Sequence, residues 1–236
     1  TSPGTGISAI QTLTALREGI LVPWQKQQAE MLKPASELFL SDQGGLVYQP
    51  KVGVHNDVAE IDFVSLYPAI MVYFNISPET ILNDPQAPNL VPTLGMGIDN
   101  SKVGLIPKAL KPLLVKRVSL KKCVGKMQPW DPLRTVYSRR ASALKWLLVT
   151  CFGYLGYKNA RFGRIEAHQA VTAYGREALL LAKETAEEAG YEVVHLYVDA
   201  LWVRKKGKKT PEDFEDLLVE IHNRTGLPIA LDGVYR

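Results

Sequence analysis

The segment from residue 58 to residue 71 constrains the fold of this chain more than any other. A strand-like approach over 58–61 leads to Asp62 and then to the sequence Ser-Leu-Tyr-Pro at 65–68, where proline takes the chain out of the strand. An acid at a strand end is well placed to hold a divalent cation, because hard cations take oxygen ligands. The N–H groups of the following turn can face a phosphate. The pattern therefore predicts a strand that ends in an acid, which is either a metal ligand or an ordinary cap.

Two further segments follow in order along the chain. One runs from Lys145 to Phe162, and the other from His195 to Val203. Together with 62–71, they resemble motifs A, B and C of the family B DNA polymerases. The family writes these motifs as Asp-x-x-Ser-Leu-Tyr-Pro-Ser-Ile-Ile, Lys-x-x-x-Asn-Ser-x-Tyr-Gly and Tyr-Gly-Asp-Thr-Asp-Ser. The resemblance runs from about residue 44 to the C-terminus, and three ordered motifs make a chance match improbable.

The resemblance is complete at some positions and defective at others. Lys145 and Gly153 match motif B, whereas Val149 stands in place of its asparagine. The motif C segment keeps a single aspartate, Asp199. In this respect the chain resembles a subgroup of family B enzymes, mostly archaeal, that has been called inactivated because its motif C is broken.

The resemblance implies an α+β fold. It consists of a polymerase palm, with an antiparallel sheet backed by helices, and a fingers subdomain made of a helical hairpin. The residues before 44 do not resemble the exonuclease motifs, and the chain ends where the thumb would begin, so we expect neither domain. The expected divisions are a connecting segment at 1–43, palm with motif A at 44–100, fingers with motif B at 101–155, and palm with motif C at 156–236.

Hydrophobic spacing and breaker residues predict the elements from the residues themselves. Helices are expected at 5–19, 106–122, 133–155, 166–188 and 211–223. The first of these depends on the apolar spacing of Ile7, Ile10, Leu13 and Leu16. Strands are expected at 44–50 and 191–203. The helices 106–122 and 133–155 would form the hairpin that the fingers require.

Composition and charge set the class of protein. With 46% apolar and 22% charged residues among 236, the chain has the composition of an ordinary soluble globular protein. No apolar run approaches the roughly 20 residues that span a bilayer, so no membrane partner is expected. Two cysteines without metal-ligand spacing predict reduced thiols in a cytoplasmic protein. Residues 102–126 contain eight Lys/Arg and no acid, which suits a polyanionic partner or a solvated helix face.

The reaction that the resemblance implies is the attack of a primer 3′-hydroxyl on an α-phosphate, assisted by two divalent ions. On this basis Asp62 and Asp199 are the catalytic acids and metal ligands, and the backbone carbonyl of Phe63 is a further ligand. The expected ion is Mg²⁺, with Mn²⁺ as a substitute.

Motif C can be aligned in two ways. If Tyr197-Val198-Asp199 matches Tyr-Gly-Asp, then Leu201 replaces the second aspartate; if Asp199 is the second aspartate, then Tyr197 replaces the first. We favour the second alignment, because the Leu-Trp that follows then matches without a gap. In the family the second aspartate bridges both metals. Loss of the other acid should weaken ion binding, so weak or specialised activity is expected.

Basic residues of the fingers are candidates for binding the triphosphate. Lys145 is the lysine of motif B, and Arg117 and Lys121 share a helix face at i,i+4. Arg134 lies eleven residues before Lys145 and shares its face. For Arg117, Lys121 and Arg134, a solvated basic surface is the alternative.

The resemblance also indicates contacts with the sugar, the phosphates and the DNA. The amides of Ser65 and Leu66 would hold phosphate oxygens, and Tyr67 would exclude a ribose 2′-hydroxyl. The residues expected to contact primer–template DNA are Gly44, Gly45, Lys158, Asn159 and Arg161. For the two glycines a simple turn is an equally good explanation.

Two functions from different classes are compatible with these features. The first is the catalytic core of a DNA-directed DNA polymerase, which acts on primer–template DNA and dNTPs in replication or repair, with a second chain as a further possible partner that supplies the thumb or exonuclease. The second is an inactive polymerase-like subunit that binds DNA or partner proteins. Retention of Asp62 and Asp199 favours the enzyme, whereas the missing acid and Val149 favour the inactive subunit.

Overall fold

The computed structural model describes residues 2–24, 32–35 and 43–236, so the predicted connecting segment 1–43 is described only in part. The fold is mixed α+β, as predicted. Its helices are α1 (Pro3–Arg17), α2 (Leu66–Tyr73), α3 (Leu105–Lys126), α4 (Pro132–Leu155), α5 (Ile165–Glu188) and α6 (Glu215–Thr225), the last preceded by a 3₁₀ turn at Pro211–Phe214. Among the described residues, no helix has the length and apolar character that crossing a membrane requires.

The strands are β1 (Val47–Tyr48), β2 (Val58–Phe63), β3 (Ile81–Leu82), β4 (Gly97–Ile98), β5 (Glu192–Tyr197), β6 (Ala200–Arg204) and β7 (Ile229–Tyr235). Five of them form an antiparallel sheet at the centre of the molecule, in the order β1-β5-β6-β2-β7. The two short strands β3 and β4 pair with each other.

The main sheet has one covered face and one open face. Helix α5 packs against β5 and β6, and α6 packs against β7. Ile61 and Leu201, which pair across β2 and β6, are fully buried beneath these helices. Because side chains alternate along a strand, Glu60 and Asp62 point to the opposite face and are partly exposed. Asp62 is therefore presented on the open face, one residue from the end of β2.

The predicted helical hairpin is confirmed. Helices α3 and α4 pack against each other along their length, and α1 packs against both. Residues 127–131 connect them, and the Asp131 carboxylate caps α4 by accepting a hydrogen bond from the Leu133 N–H at 2.8 Å. Pro132 occupies the first turn of α4, where its missing N–H costs little.

Helix α1 is present, but the face that it buries differs from the prediction. Leu13 and Leu16 are 48% and 64% exposed. Ile7 is buried, as its apolar spacing predicts, but the other buried positions are Gly4, Gln11 and Ala15. The reason is close approach to α4: a Cβ on Gly4 would lie 2.1 Å from Tyr154 Oη, and the Gln11 amide donates to Cys151 Sγ at 3.3 Å. Small and polar side chains fit this contact where leucine would not.

The single strand predicted at 191–203 is wrong. The structure divides this segment into β5 and β6, joined by the tight turn of Val198 and Asp199. Between Leu196 and Val203 the turn contains no glycine, proline or asparagine, and Asp199 is the one polar residue apart from Tyr197 and Trp202, so the pattern gives little sign of a turn. As a result, Asp199 lies at the end of the hairpin.

Candidate active site

Asp62 and Asp199 meet at one end of the sheet. Asp62 pairs with Ala200, the first residue of β6, and Asp199 immediately precedes Ala200 in the turn. The Phe63 N–H donates to the Asp199 carbonyl at 2.9 Å, which fixes the turn against β2. Both carboxylate residues line the same cavity. The strand predicted at 191–203 would have placed Asp199 within a strand, but Asp199 lies in the turn before β6.

The cavity has a volume of about 120 Å³ and lies between the sheet and the helical hairpin. Its walls come from the end of β2 and the start of α2, from α3 and α4, and from the β5–β6 turn. The lining residues are Asp62, Phe63, Ser65, Leu66, Tyr67, Pro68, Arg117, Lys145, Leu148, Val149, Phe152, Val198 and Asp199. Acids therefore stand on the sheet side and cations on the hairpin side.

The environment of the two carboxylates disfavours their ionised forms. Burial raises the pKa of Asp62 to about 6, with further contributions from the charges of Asp199, Asp232 and Glu60, partly offset by Lys121. Burial also raises the pKa of Asp199, against a backbone hydrogen bond and the charge of Lys145. Two half-buried acids of this kind fit a divalent cation, which would relieve their repulsion.

The donor set is small. In the described part of the chain, no group of three or more His, Cys, Asp or Glu side chains is arranged to hold a metal ion. The pair Asp62 and Asp199 would thus depend on backbone oxygens such as the Phe63 carbonyl, and on substrate oxygens, to complete a coordination shell.

The raised pKa of Asp62 predicts a cost to stability that asparagine would remove. The pKa of Asp62 in the folded protein is about 6, above the ordinary value of 3.8. The folded state therefore binds the proton more tightly than the unfolded state, and the resulting stabilisation is fully present below about pH 4 and is lost as pH rises through 6. We expect Asp62→Asn to raise the free energy of unfolding of the metal-free protein at pH 7 by about 1–2 kcal/mol, after allowing for solvent screening. Denaturant unfolding in EDTA at pH 4 and pH 7 measures this.

Divalent ions supply the control for that prediction. Added Mg²⁺ should stabilise the wild-type protein and leave Asp62→Asn nearly unchanged, because binding to the folded state alone shifts the unfolding equilibrium. A variant that is less stable than wild type in EDTA at pH 7 would contradict the assignment of burial and repulsion at Asp62.

Arg117 of α3 is buried against Ser65, the residue that precedes α2. Ser65 adopts the left-handed conformation, with φ of 57°, between β2 and α2. The side chain of Arg117 is 8% exposed, and its Nη1 donates to Ser65 Oγ. Burial lowers the pKa of Arg117, and the charge of Asp62 opposes this. Within the described residues its Nε has no hydrogen-bond partner, so this end of the cavity fits an anion.

The other predicted cations divide into two groups. Lys145 lines the cavity, and its charge acts on Asp199. Lys121 acts on Asp62 from outside the lining. Arg134 also lies outside the lining, although its Nε is buried. Of the four cations predicted to bind the triphosphate, Lys145 and Arg117 thus line the cavity, and Lys121 and Arg134 do not. Their contact with a nucleotide stays a prediction.

Tyr67 packs against a cluster of aromatic rings, beginning with Phe152. Its ring centroid lies 4.4 Å from that of Phe152, which in turn stacks on His168 at 4.2 Å. On another side, a Cβ on Gly175 would lie 3.0 Å from Tyr67 Cε1. His168 lies outside the three motif segments. The tertiary packing of α5 against α4 brings His168 here, and no local pattern signals it.

The predicted DNA contacts lie outside the cavity lining. Lys158, Asn159 and Arg161 are exposed in the loop after α4. The Arg161 guanidinium donates to the carbonyl of Trp24 at 3.2 Å, and the Asn159 amide donates to Tyr157 Oη at 3.1 Å. Their contact with DNA stays a prediction.

Gly44 and Gly45 occupy different environments. Gly44 has φ of +63°, and its carbonyl accepts a hydrogen bond from Arg176 Nη1 at 2.8 Å. Gly45 lies against the β5–β6 turn. The structure therefore connects both glycines to the protein's own framework, and their contact with a template also stays a prediction.

Comparison with known proteins agrees with this architecture. The sequence model of DNA polymerase family B matches residues 10–206. The chain is 33% identical over 224 residues to DNA polymerase 2 of Saccharolobus solfataricus, and this match covers 95% of this chain and 32% of that protein. It is 34% identical over 198 residues to DNA polymerase 2 of Aeropyrum pernix, and this match covers 82% of this chain and 24% of that protein.

A solved structure shows the same fold. The family B DNA polymerase from Pyrobaculum calidifontis superposes with a TM-score of 0.70 at 30% sequence identity, over 100% of this chain and 30% of that one. The chain thus spans about a third of the length of the relatives it matches. By the extent of the sequence match and by fold, it belongs to the family B DNA polymerases.

Proposed function

We propose that this chain forms the palm and fingers of a DNA-directed DNA polymerase that adds dNTPs to a primer 3′-hydroxyl. The observation that carries the proposal is the cavity itself. Asp62 and Asp199, 137 residues apart in sequence, stand on its sheet side, and Arg117 and Lys145 stand on its hairpin side. Acids facing cations across one cleft are what phosphoryl transfer to a hydroxyl requires.

Each wall has a role in this proposal. Asp62, Asp199 and the Phe63 carbonyl would hold Mg²⁺ ions, which supply positive charge at the attacking and leaving oxygens. Arg117 and Lys145 bind the triphosphate, and the N–H groups at the start of α2 point toward its oxygens. Lys121 adds a longer-range positive charge near Asp62.

Tyr67 carries the proposed selection for deoxyribose. Its ring lines the cavity and is confined by Phe152 and Gly175. A ring that cannot swing away occupies the space that a ribose 2′-hydroxyl would need. The proposed substrates are therefore dNTPs and primer–template DNA. A second chain that supplies a thumb or an exonuclease stays a prediction.

The register of the sheet supports the second alignment of motif C. Tyr197 pairs with Ala200, and Ala200 pairs with Asp62, so these three residues share the open face of the sheet. Leu201 pairs with Ile61 on the covered face. An acid at 197 would thus stand in the same row as Asp62, and its replacement by Tyr197 accounts for the weak activity that we propose.

An inactive subunit is the alternative, and two residues favour it. Motif C lacks an acid, and Val149, in place of the motif B asparagine, lines the cavity with an apolar side chain. Primer extension with Mg²⁺ and with Mn²⁺ separates the two functions. We expect slow extension that gains from Mn²⁺, because Mn²⁺ suits carboxylate oxygens. DNA binding without extension under either ion would favour the inactive subunit.

Lys145→Ala tests the nucleotide site. We expect the KM for dNTP to rise by about 10-fold or more, because the side chain contacts the triphosphate and little of the duplex. Steady-state extension at varied dNTP concentration measures this, and fluorescence anisotropy with labelled primer–template DNA should give an unchanged Kd.

Arg140→Ala is the matched control for Lys145→Ala. Arg140 lies on the same helix, α4, but is exposed and outside the cavity lining. It removes one positive charge without touching the proposed site, so its KM for dNTP should equal that of wild type. A Lys145→Ala protein that loses as much affinity for DNA as for dNTP would contradict the assignment. So would an Arg140→Ala protein whose KM for dNTP rises as much as that of Lys145→Ala.

A further inference from the structure

The turn that carries Asp199 is held in an unfavourable conformation. Val198 has φ of 57°, in the left-handed region. A β-branched residue is rarely found there, because its Cβ substituents crowd the backbone. Such a conformation persists only where surrounding contacts determine it. The contacts that hold Val198 therefore also set the position of Asp199.

The segment 44–46 supplies those contacts. The Val198 N–H donates to the Leu46 carbonyl at 2.8 Å. Val47, the next residue, pairs with Tyr197 in the sheet. At the other end of the segment, Arg176 of α5 donates to the Gly44 carbonyl at 2.8 Å. The segment 44–46 thus holds the turn by hydrogen bonds and is itself hydrogen-bonded to α5.

Gly45 is the residue of this segment that lies against the side chain of Val198. A Cβ at residue 45 would lie 3.1 Å from both Val198 methyl carbons and 3.4 Å from Tyr67 Oη. Gly44 has positive φ, and Gly45 does not. The backbone φ at 45 therefore does not require glycine, and the need for glycine there is one of space rather than of conformation.

We propose that Gly45 is a positioning residue, which acts through Val198 by leaving the room that the turn needs to hold Asp199 beside Asp62. This inference rests on the proposed polymerase function and adds to it a determinant outside the cavity lining. It also separates the two glycines: Gly44 provides the bend, and Gly45 provides the clearance.

Gly45→Ala tests the inference. The added methyl group would lie 3.1 Å from both methyl carbons of Val198, so Val198 must move by a few tenths of an ångström. That movement changes the placement of the adjacent Asp199 relative to Asp62. We expect the affinity for Mn²⁺, measured by electron paramagnetic resonance titration, and kcat for primer extension each to fall by about 10-fold. The Kd for primer–template DNA should not change. Gly125→Ala is the matched control, because no described atom lies within 4 Å of its added Cβ.

A double variant provides the rescue. Val198→Ala removes the two methyl carbons that the new side chain meets, so Gly45→Ala combined with Val198→Ala should bind Mn²⁺ more tightly and extend faster than Gly45→Ala alone. Thermal unfolding of each variant separates this local effect from a general loss of stability, which the second substitution would not repair.

The outcomes decide between the alternatives. Loss of DNA affinity with unchanged Mn²⁺ affinity would overturn the inference and assign Gly45 to the template. A double variant no better than Gly45→Ala would also overturn it. If the wild-type protein binds Mn²⁺ but does not extend a primer, the proposed function fails, while the Mn²⁺ titrations of the variants still decide the role of Gly45.

Discussion

Asp199→Asn should reduce the rate of primer extension by more than about 100-fold, since even residues that only support metal ligands typically cost 10- to 100-fold when they are replaced. Asp199 is the sole acid left in motif C, and it lines the cavity beside Asp62. Asparagine keeps the shape of the side chain and the turn but removes the charge. Single-turnover extension with Mg²⁺ and with Mn²⁺ measures the loss.

Asp216→Asn is the control for this result. Asp216 is exposed on α6, behind the covered face of the sheet, and its neutralisation should leave the extension rate unchanged. If Asp199→Asn extends primers as fast as wild type, Asp199 is not part of the catalytic site. If neither protein extends a primer, the inactive-subunit function accounts better for the chain.

Local sequence patterns predicted those parts of the fold that local interactions determine. The helices α3, α4 and α5 have long amphipathic patterns and clear breakers, and each lies within a few residues of its predicted position. Asp62 was proposed as a metal ligand because the ten residues from 62 to 71 resemble motif A within one short segment. These features need no knowledge of the remaining chain.

The parts that were missed depend on contacts between distant segments. The turn at Val198 contains no glycine, proline or asparagine to signal it, and the segment 44–46 that holds it is about 150 residues away in sequence. His168 supports Phe152 only because α5 packs against α4. Likewise, α1 buries Gln11 rather than leucine because its contact with α4 is close.

Arg117 and Lys121 show how a shared helix face can mislead. Their i,i+4 spacing predicts one role, yet Arg117 is buried and donates to Ser65, whereas Lys121 lies outside the cavity lining. The difference arises because Arg117 lies against Ser65, just before α2, whereas Lys121 is exposed. Spacing indicates which side of a helix is used, but the depth of each residue is set by the element packed against it.

The second large effect concerns the two possible sites of the missing acid. We expect Tyr197→Asp to raise the rate of primer extension, by about 10-fold if a restored ligand is worth as much as a supporting one. Tyr197 is 54% exposed on the open face, so the change should cost little stability. Extension rates with Mg²⁺ measure the gain, and the advantage of Mn²⁺ should shrink as the site regains its charge.

Leu201→Asp should have the opposite outcome. Leu201 is 0% exposed and belongs to the core beneath α5, so an aspartate there would bury an unpaired charge. We expect the free energy of unfolding to fall by about 4 kcal/mol or more, with no gain in extension. Denaturant unfolding and extension assays on both variants decide the alignment. A faster Leu201→Asp protein with an unchanged fold, beside an unimproved Tyr197→Asp protein, would move Asp199 to the first aspartate position of motif C.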